Sequence, residues 1–167
     1  MIKTLNTLFV TMSGLGKIPK IPGTFGSLAT VIILYLFFHV FNLPSNLILM
    51  FLIVIFILSF SAVANHIKDN ENKDPKEVII DEFIGQSIPI YLYEISHGIS
   101  KDTQEELLVY LYIFILFRFF DIKKPFPINF LDKKFKNSFG VIFDDVIAGL
   151  YVVLTLIIFM VIKSEFL

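Results

Sequence analysis

The run Asn46–Ala64, NLILMFLIVIFILSFSAVA, contains no charged residue. A helix needs about 20 consecutive apolar residues to cross the hydrocarbon core of a bilayer, and this run nearly supplies them alone. To either side, Leu28–Phe41 and Val146–Ile162 have the same character, and Leu107–Phe120 is shorter but almost uninterrupted. Phe83–Tyr93 is apolar too, but short for a crossing, and Pro89 inside it is expected to kink a helix. Asn42, Pro44 and Ser45 form a tight connection that joins the first two spans into a helical hairpin. The expected fold is all-α: a polytopic membrane protein with four to five apolar helical segments. Residues 1–167 read as one membrane-embedded domain, with 1–26 as an interfacial N-terminal segment and loop. Leu5, Leu8, Phe9 and Met12 follow i, i+3, i+4, i+7 spacing. That pattern suits a short amphipathic helix, either lying on the membrane surface or packed on the other helices.

Composition agrees. The chain is 56% hydrophobic and 17% charged, with a mean hydropathy of +0.78. Soluble domains run at about 45–50% apolar and about 25% charged, so a small soluble core could not hide this much apolar sequence. The net charge of −1 points to no nucleic-acid partner. The absence of cysteine excludes disulfides, thiolate nucleophiles and Cys-ligated zinc. His39, His66 and His97 are far apart in sequence, which argues against a histidine-built metal site.

Positive charge orients the chain. Lys3, Lys17 and Lys20 precede the first span. Lys68, Lys73 and Lys76 lie in the 65–82 loop, and Arg118, Lys123, Lys124, Lys133, Lys134 and Lys136 in the 118–140 segment. Alternate loops read as cytoplasmic thus carry twelve of the 14 Lys and Arg, leaving only Lys101 and Lys163 outside. Because 65–82 and 118–140 both read as cytoplasmic, Phe83–Tyr93 and Leu107–Phe120 must both cross, or dip in and return as a pair.

In that topology the unusual polar residues collect on the cytoplasmic side. Pro22-Gly23-Thr24-Phe25-Gly26-Ser27 stands at the entrance of the first span, Asp81-Glu82 at the third, Arg118, Asp121, Lys123 and Lys124 at the exit of the fourth, and Asp144-Asp145 at the start of the last. Each has an ordinary reading. Asp144 and Asp145 suit a helix first turn, Asp121 suits an ion pair with Arg118, Asp81-Glu82 a solvated helix start, and the glycine-rich run a turn and N-cap. Yet Asp144 and Asp145 lie within apolar sequence with no local cationic partner, where an acid is costly and functional by default. Adjacent helical residues point about 100° apart, so one of the two would ligate while the other orients it or meets a base. Glycines permit close approach of a ligand, and free N–H groups at a helix start suit phosphate. Converging carboxylates suit Mg²⁺, a hard cation that also takes phosphate oxygens. Lys and Arg would neutralise the remaining phosphate charge. Gly14-Leu15-Gly16-Lys17 does not complete a P-loop.

Three blocks then resemble the phosphatidylglycerophosphatase A family of bacterial membrane phosphatases. Gly14 to Leu28 fits G-x-G-x-x-P-x-x-P-G-T-x-G-S-L, and Asp81-Glu82-Phe83-Ile84-Gly85 fits D-E-x-x-G. The third block runs from Phe117-Arg118 through Asp121-Ile122-Lys123-Lys124-Pro125-Phe126-Pro127-Ile128 to Gly140, Asp144-Asp145, Ala148 and Gly149. The resemblance implies Mg²⁺-dependent hydrolysis of phosphatidylglycerophosphate to phosphatidylglycerol at the bacterial inner membrane, with Lys124 at the family's lysine before proline and Lys123 at a variable place. The expected catalytic and metal-binding acids are Asp81, Glu82, Asp121, Asp144 and Asp145. The expected substrate-binding residues are Gly23, Thr24, Gly26, Ser27, Arg118 and Lys124. Aspartyl-phosphate formation and direct attack by water both fit. Two other classes compete, a lipid phosphotransferase and a non-enzymatic ion transporter. A CDP-alcohol phosphotransferase would require D-G-x₂-A-R, which is absent, and an ion transporter would want acids near mid-span, where Ile53–Ser59 and Leu154–Phe159 carry none.

Overall fold

The computed structural model describes residues 2–68, 70, 72–97 and 103–166. Lys101, counted above as an outside charge, lies beyond these. The described chain is helical, with no strand: α1 (Ile2–Val10), α2 (Pro22–Tyr35), α3 (Ser45–Ile67), α4 (Ile80–His97), α5 (Thr103–Lys123), α6 (Ile128–Lys134) and α7 (Ser138–Phe166). A short 3₁₀ turn, Leu15–Lys17, precedes α2, and α2 ends in a π-turn over Leu36–Val40.

Three helices are long and apolar enough to cross a membrane: Pro22–Val40, Ser45–Ile67 and Ser138–Ile162. Their outward faces carry Ile53, Ile57, Leu154 and Ile158, each about half exposed or more. So broad an apolar belt marks a lipid-facing surface. The protein is therefore an all-helical membrane protein with three such helices among the described residues.

The first span starts six residues earlier than hydropathy suggested. Pro22 takes the first helical position, where its missing N–H costs nothing, so residues 22–26 belong to α2 and not to a loop. Ser27 does not cap: its hydroxyl donates to the Gly23 carbonyl at 3.0 Å, one turn back. Pro89 lies inside a helix. α4 continues through it for 18 residues, adding the polar ends that hydropathy left out. A proline frees the carbonyl four residues before it, here that of Gly85. A Cβ on Gly149 of α7 would collide with that same oxygen. The lack of a side chain at Gly149 thus lets α7 close onto the freed carbonyl, a small-residue contact of the kind membrane helices use.

α4 consequently sits at the centre, packed on α7 most extensively and on α2, α3 and α5. One core cluster, with Val63, Ile80, Phe83 and Ile142, lies beside α1. A second, with Leu34, Ile48, Ile90, Ile113 and Phe117, fills the space between α2, α3, α4 and α5. α1 is both packed and outward-facing. Val10 is buried and Asn6 Nδ2 donates to the Ala62 carbonyl of α3 at 3.0 Å, while Leu5 and Leu8 are exposed.

Candidate functional site

The five acids singled out in the sequence, with Arg118 and Lys124, line one polar cavity of about 490 Å³. Four helices build it. The first turn of α2 contributes Gly23 and Thr24, the first turn of α4 Asp81 and Glu82, the last turns of α5 Arg118 and Asp121 with Lys124 just beyond, and α7 Asp144 and Asp145. Gly26 and Ser27 do not line it. Gly26 packs against Ile79, and Ser27 accepts a hydrogen bond from Arg118 Nη1 at 3.3 Å. Lys123 is exposed and outside the cavity, whereas Lys124 is inside.

The acids sort into two groups. Asp81, Glu82 and Asp145 each offer a carboxylate oxygen, and these three atoms lie within 4.8 Å of one another. The other two acids are engaged with bases. Asp121 Oδ2 is 2.6 Å from Arg118 Nη1, so the helical i,i+3 pair is formed. Asp144 Oδ2 accepts from Lys124 Nζ at 2.6 Å. Asp144 is therefore the one of the two acids that meets a base, as the sequence reading allowed; the partner comes from 20 residues upstream and could not be identified locally. Asp81 and Asp144, each of which precedes a trio acid, also accept from the next backbone N–H: Glu82 N to Asp81 Oδ1 at 3.1 Å, and Asp145 N to Asp144 Oδ1 at 3.0 Å. These bonds fix the carboxylate rotamers before any ligand arrives.

Backbone features hold the two sides together. A Cβ on Gly23 would collide with Glu82 Oε1 and approach Arg118 Nη1, so α2 comes this close only because the residue is glycine. Lys124 follows α5 in the left-handed region, φ +43°, with its N–H still bonded to the Phe120 carbonyl at 2.8 Å. That conformation is unfavourable for a lysine. It turns the chain sharply at the end of α5, and the Nζ reaches across to α7.

Electrostatically the cavity is over-supplied with acid. Sequence reasoning missed Asp74, Lys76 and Lys20, which also line it; only their charge hinted at them. With them the lining holds six acids against four bases. Asp81, Asp144 and Asp145 are buried, at 6%, 5% and 3% exposure, and Glu82 Oε2 has no partner among the described residues. Buried facing carboxylates repel unless a cation or protons intervene. An all-oxygen donor set with one oxygen unsatisfied fits a hard divalent ion such as Mg²⁺.

The histidines stand elsewhere. His39, on the π-turn, lies between Glu94 and Glu106, with Nε2 and Nδ1 at 3.2 and 3.3 Å, and His66 meets Glu77 at 2.9 Å. The side chain of His97 is outside the described residues.

The profile of the family described as phosphatidylglycerophosphatase A matches residues 8–160. Among curated relatives, the Haemophilus influenzae phosphatidylglycerophosphatase A is 32% identical over 155 residues, covering 92% of this chain and 88% of the relative. The Escherichia coli phosphatidylglycerophosphatase A is 31% identical over 136 residues, covering 81% and 72%. A Bacteroides thetaiotaomicron protein named as a putative phosphatidylinositol-3-phosphatase is 34% identical over 151 residues, covering 88% of each. No solved structure matches. The match runs unbroken from α1 into α7 and takes in every helix that lines the acidic cavity, and on that footing the chain belongs to the phosphatidylglycerophosphatase A family and is a phosphatase.

Proposed function

We propose that the protein hydrolyses phosphatidylglycerophosphate to phosphatidylglycerol and inorganic phosphate in phospholipid biosynthesis, with Mg²⁺, on the cytoplasmic face of the bacterial inner membrane. Residues 1–167 act as one membrane-embedded domain. α4 and α5 join the three apolar helices as a further pair of membrane segments. The observation that carries this reading is the buried trio Asp81, Glu82 and Asp145, flanked in the same cavity by Arg118 and Lys124.

Asp81, Glu82 and Asp145 would hold the metal. When bound, Mg²⁺ polarises a phosphoryl oxygen and lowers the pKa of coordinated water. Arg118, fixed by Asp121 and Ser27, presents its guanidinium to the phosphate oxygens. Lys124, aligned by Asp144, neutralises further charge as it develops in the transition state. The Gly23-Thr24 turn offers backbone N–H groups and a hydroxyl at the start of α2, where the helix dipole favours an anion. Hydrolysis breaks the P–O ester bond, the leaving glycerol oxygen takes up a proton, and water supplies the new oxygen on phosphorus.

The direct test is phosphate release from phosphatidylglycerophosphate by the purified protein. Full activity is expected with Mg²⁺, and none after EDTA until Mg²⁺ is restored. Undiminished turnover in the chelated protein would refute the metal assignment. Phosphatidylinositol 3-phosphate belongs in the same assay, because of the Bacteroides relative's name. Faster turnover of that lipid would reassign the substrate while leaving the chemistry intact.

Orientation is tested separately. Asn72 and Asn137 are exposed, and the native chain has no cysteine. Single cysteines at these positions are expected to resist an impermeant thiol reagent in intact cells and to react after lysis. Labelling in intact cells would place the cavity on the other side.

A further inference from the structure

Gln86 is fully buried in α4, at 0% exposure. Neither its Nε2 nor its Oε1 has a hydrogen-bond partner among the described residues. A buried primary amide without partners is costly, and an apolar residue of the same size would pack at that place without the cost. Two further buried orphans belong to the site itself, Glu82 Oε2 and Arg118 Nε. Together the three residues offer two donors, Gln86 Nε2 and Arg118 Nε, and two acceptors, Gln86 Oε1 and Glu82 Oε2.

Their places in the fold are close. Gln86 follows Glu82 by four residues, so both lie on one face of α4 a turn apart. A Cβ on Gly85 would meet the Phe117 ring, which sets Phe117-Arg118 of α5 level with Gly85-Gln86 of α4. From there the Arg118 guanidinium reaches Asp121, Ser27 and, at 3.9 Å, Glu82. Arg118 Nε belongs to that same guanidinium, whose Nη1 approaches Glu82, one turn before Gln86 on α4. Ser27 of α2, which accepts from Arg118 Nη1, is likewise at 0% exposure.

We infer that Gln86 is a positioning residue: through an enclosed water it joins Glu82 Oε2 to Arg118 Nε and holds the metal-facing acid and the phosphate-facing base in register. A buried water with two to four polar partners is ordinary in proteins, and here it would satisfy all four orphan atoms. This rests on the phosphatase reading above and adds to it a residue outside the cavity lining.

The test compares Gln86→Met, which keeps length and loses the amide, with Gln86→Asn, which keeps the amide and leaves a void. Purified full-length proteins are assayed on phosphatidylglycerophosphate, and Tm is read without metal and with Mg²⁺. For Gln86→Met, kcat is expected to fall about tenfold with KM within about twofold, as for an interaction felt in the transition state. Its metal-free Tm should equal or exceed that of the wild type, and its Mg²⁺-induced rise in Tm should shrink. Gln86→Asn should keep more kcat than Gln86→Met despite a lower Tm, so that activity and stability rank the variants in opposite orders. Wild-type kcat in Gln86→Met, or loss of kcat and Tm in step, overturns the proposal. A wild type that gains Tm with Mg²⁺ yet releases no phosphate would overturn the substrate reading, and the Mg²⁺-induced shift in Gln86→Met would still decide the role of Gln86.

Discussion

Asp145→Asn is expected to lower kcat on the order of 10³-fold, about 4 kcal/mol in barrier height, while the protein inserts and purifies normally. The change keeps the side-chain volume. It removes one of three carboxylates whose oxygens lie within 4.8 Å of one another, and a metal bound there supplies several kcal/mol of transition-state stabilisation. Stability should move the other way. Asp145 is 3% exposed and faces like charges, so neutralising it relieves repulsion in the metal-free protein. Metal-free Tm should hold or rise, and the Mg²⁺-induced increase in Tm should disappear. Asp121→Asn provides the contrast: this acid is engaged with Arg118, so its loss should misorient a base and leave the Mg²⁺-induced increase intact. Wild-type turnover by Asp145→Asn would move the metal site elsewhere.

Lys124→Ala is expected to reduce kcat/KM by about 2–4 kcal/mol, the range for losing a preorganised transition-state donor. Lys123→Ala should cost nearer to about 1 kcal/mol, the contribution of a juxtamembrane base attracting an anionic surface. The two lysines are adjacent, yet only Lys124 lines the cavity, and its backbone is held left-handed to put it there. Removing Lys124 also leaves Asp144 without its 2.6 Å partner, which would destabilise the protein by itself. The double variant Lys124→Ala/Asp144→Asn separates the effects. It should recover stability and remain impaired, and recovery of both would make Lys124 a structural counter-ion. Detergent micelles with dilute lipid substrate keep bulk surface charge from masking the difference. Equal losses for Lys123 and Lys124 would reduce the pair to a diffuse basic patch.

The sequence by itself determined the helical membrane class, because a run such as Asn46–Ala64 has no way to satisfy its backbone within a bilayer except as a helix. It also singled out the acids that the fold gathers around one cavity, since acids beside apolar sequence are conspicuous whatever their partners. Helix ends were less legible. Pro22–Ser27 reads as a turn by composition, yet proline is accommodated in a first helical turn, and the bare backbone of Gly23 there admits the close approach of Glu82. Pro89 reads as a kink, and only the packing shows that the carbonyl it frees faces the bare backbone of Gly149. What only tertiary structure decided is how the five acids are grouped, three together and two each beside a base. Asp144 and Asp145 are neighbours in sequence and both precede apolar residues. Their surroundings separate because successive helix positions point about 100° apart, turning one toward Lys124 just beyond α5 and the other toward Asp81 and Glu82 at the start of α4. Local patterning reports the cost of a buried charge, but the partner that offsets it arrives from another helix, and its identity is set by packing.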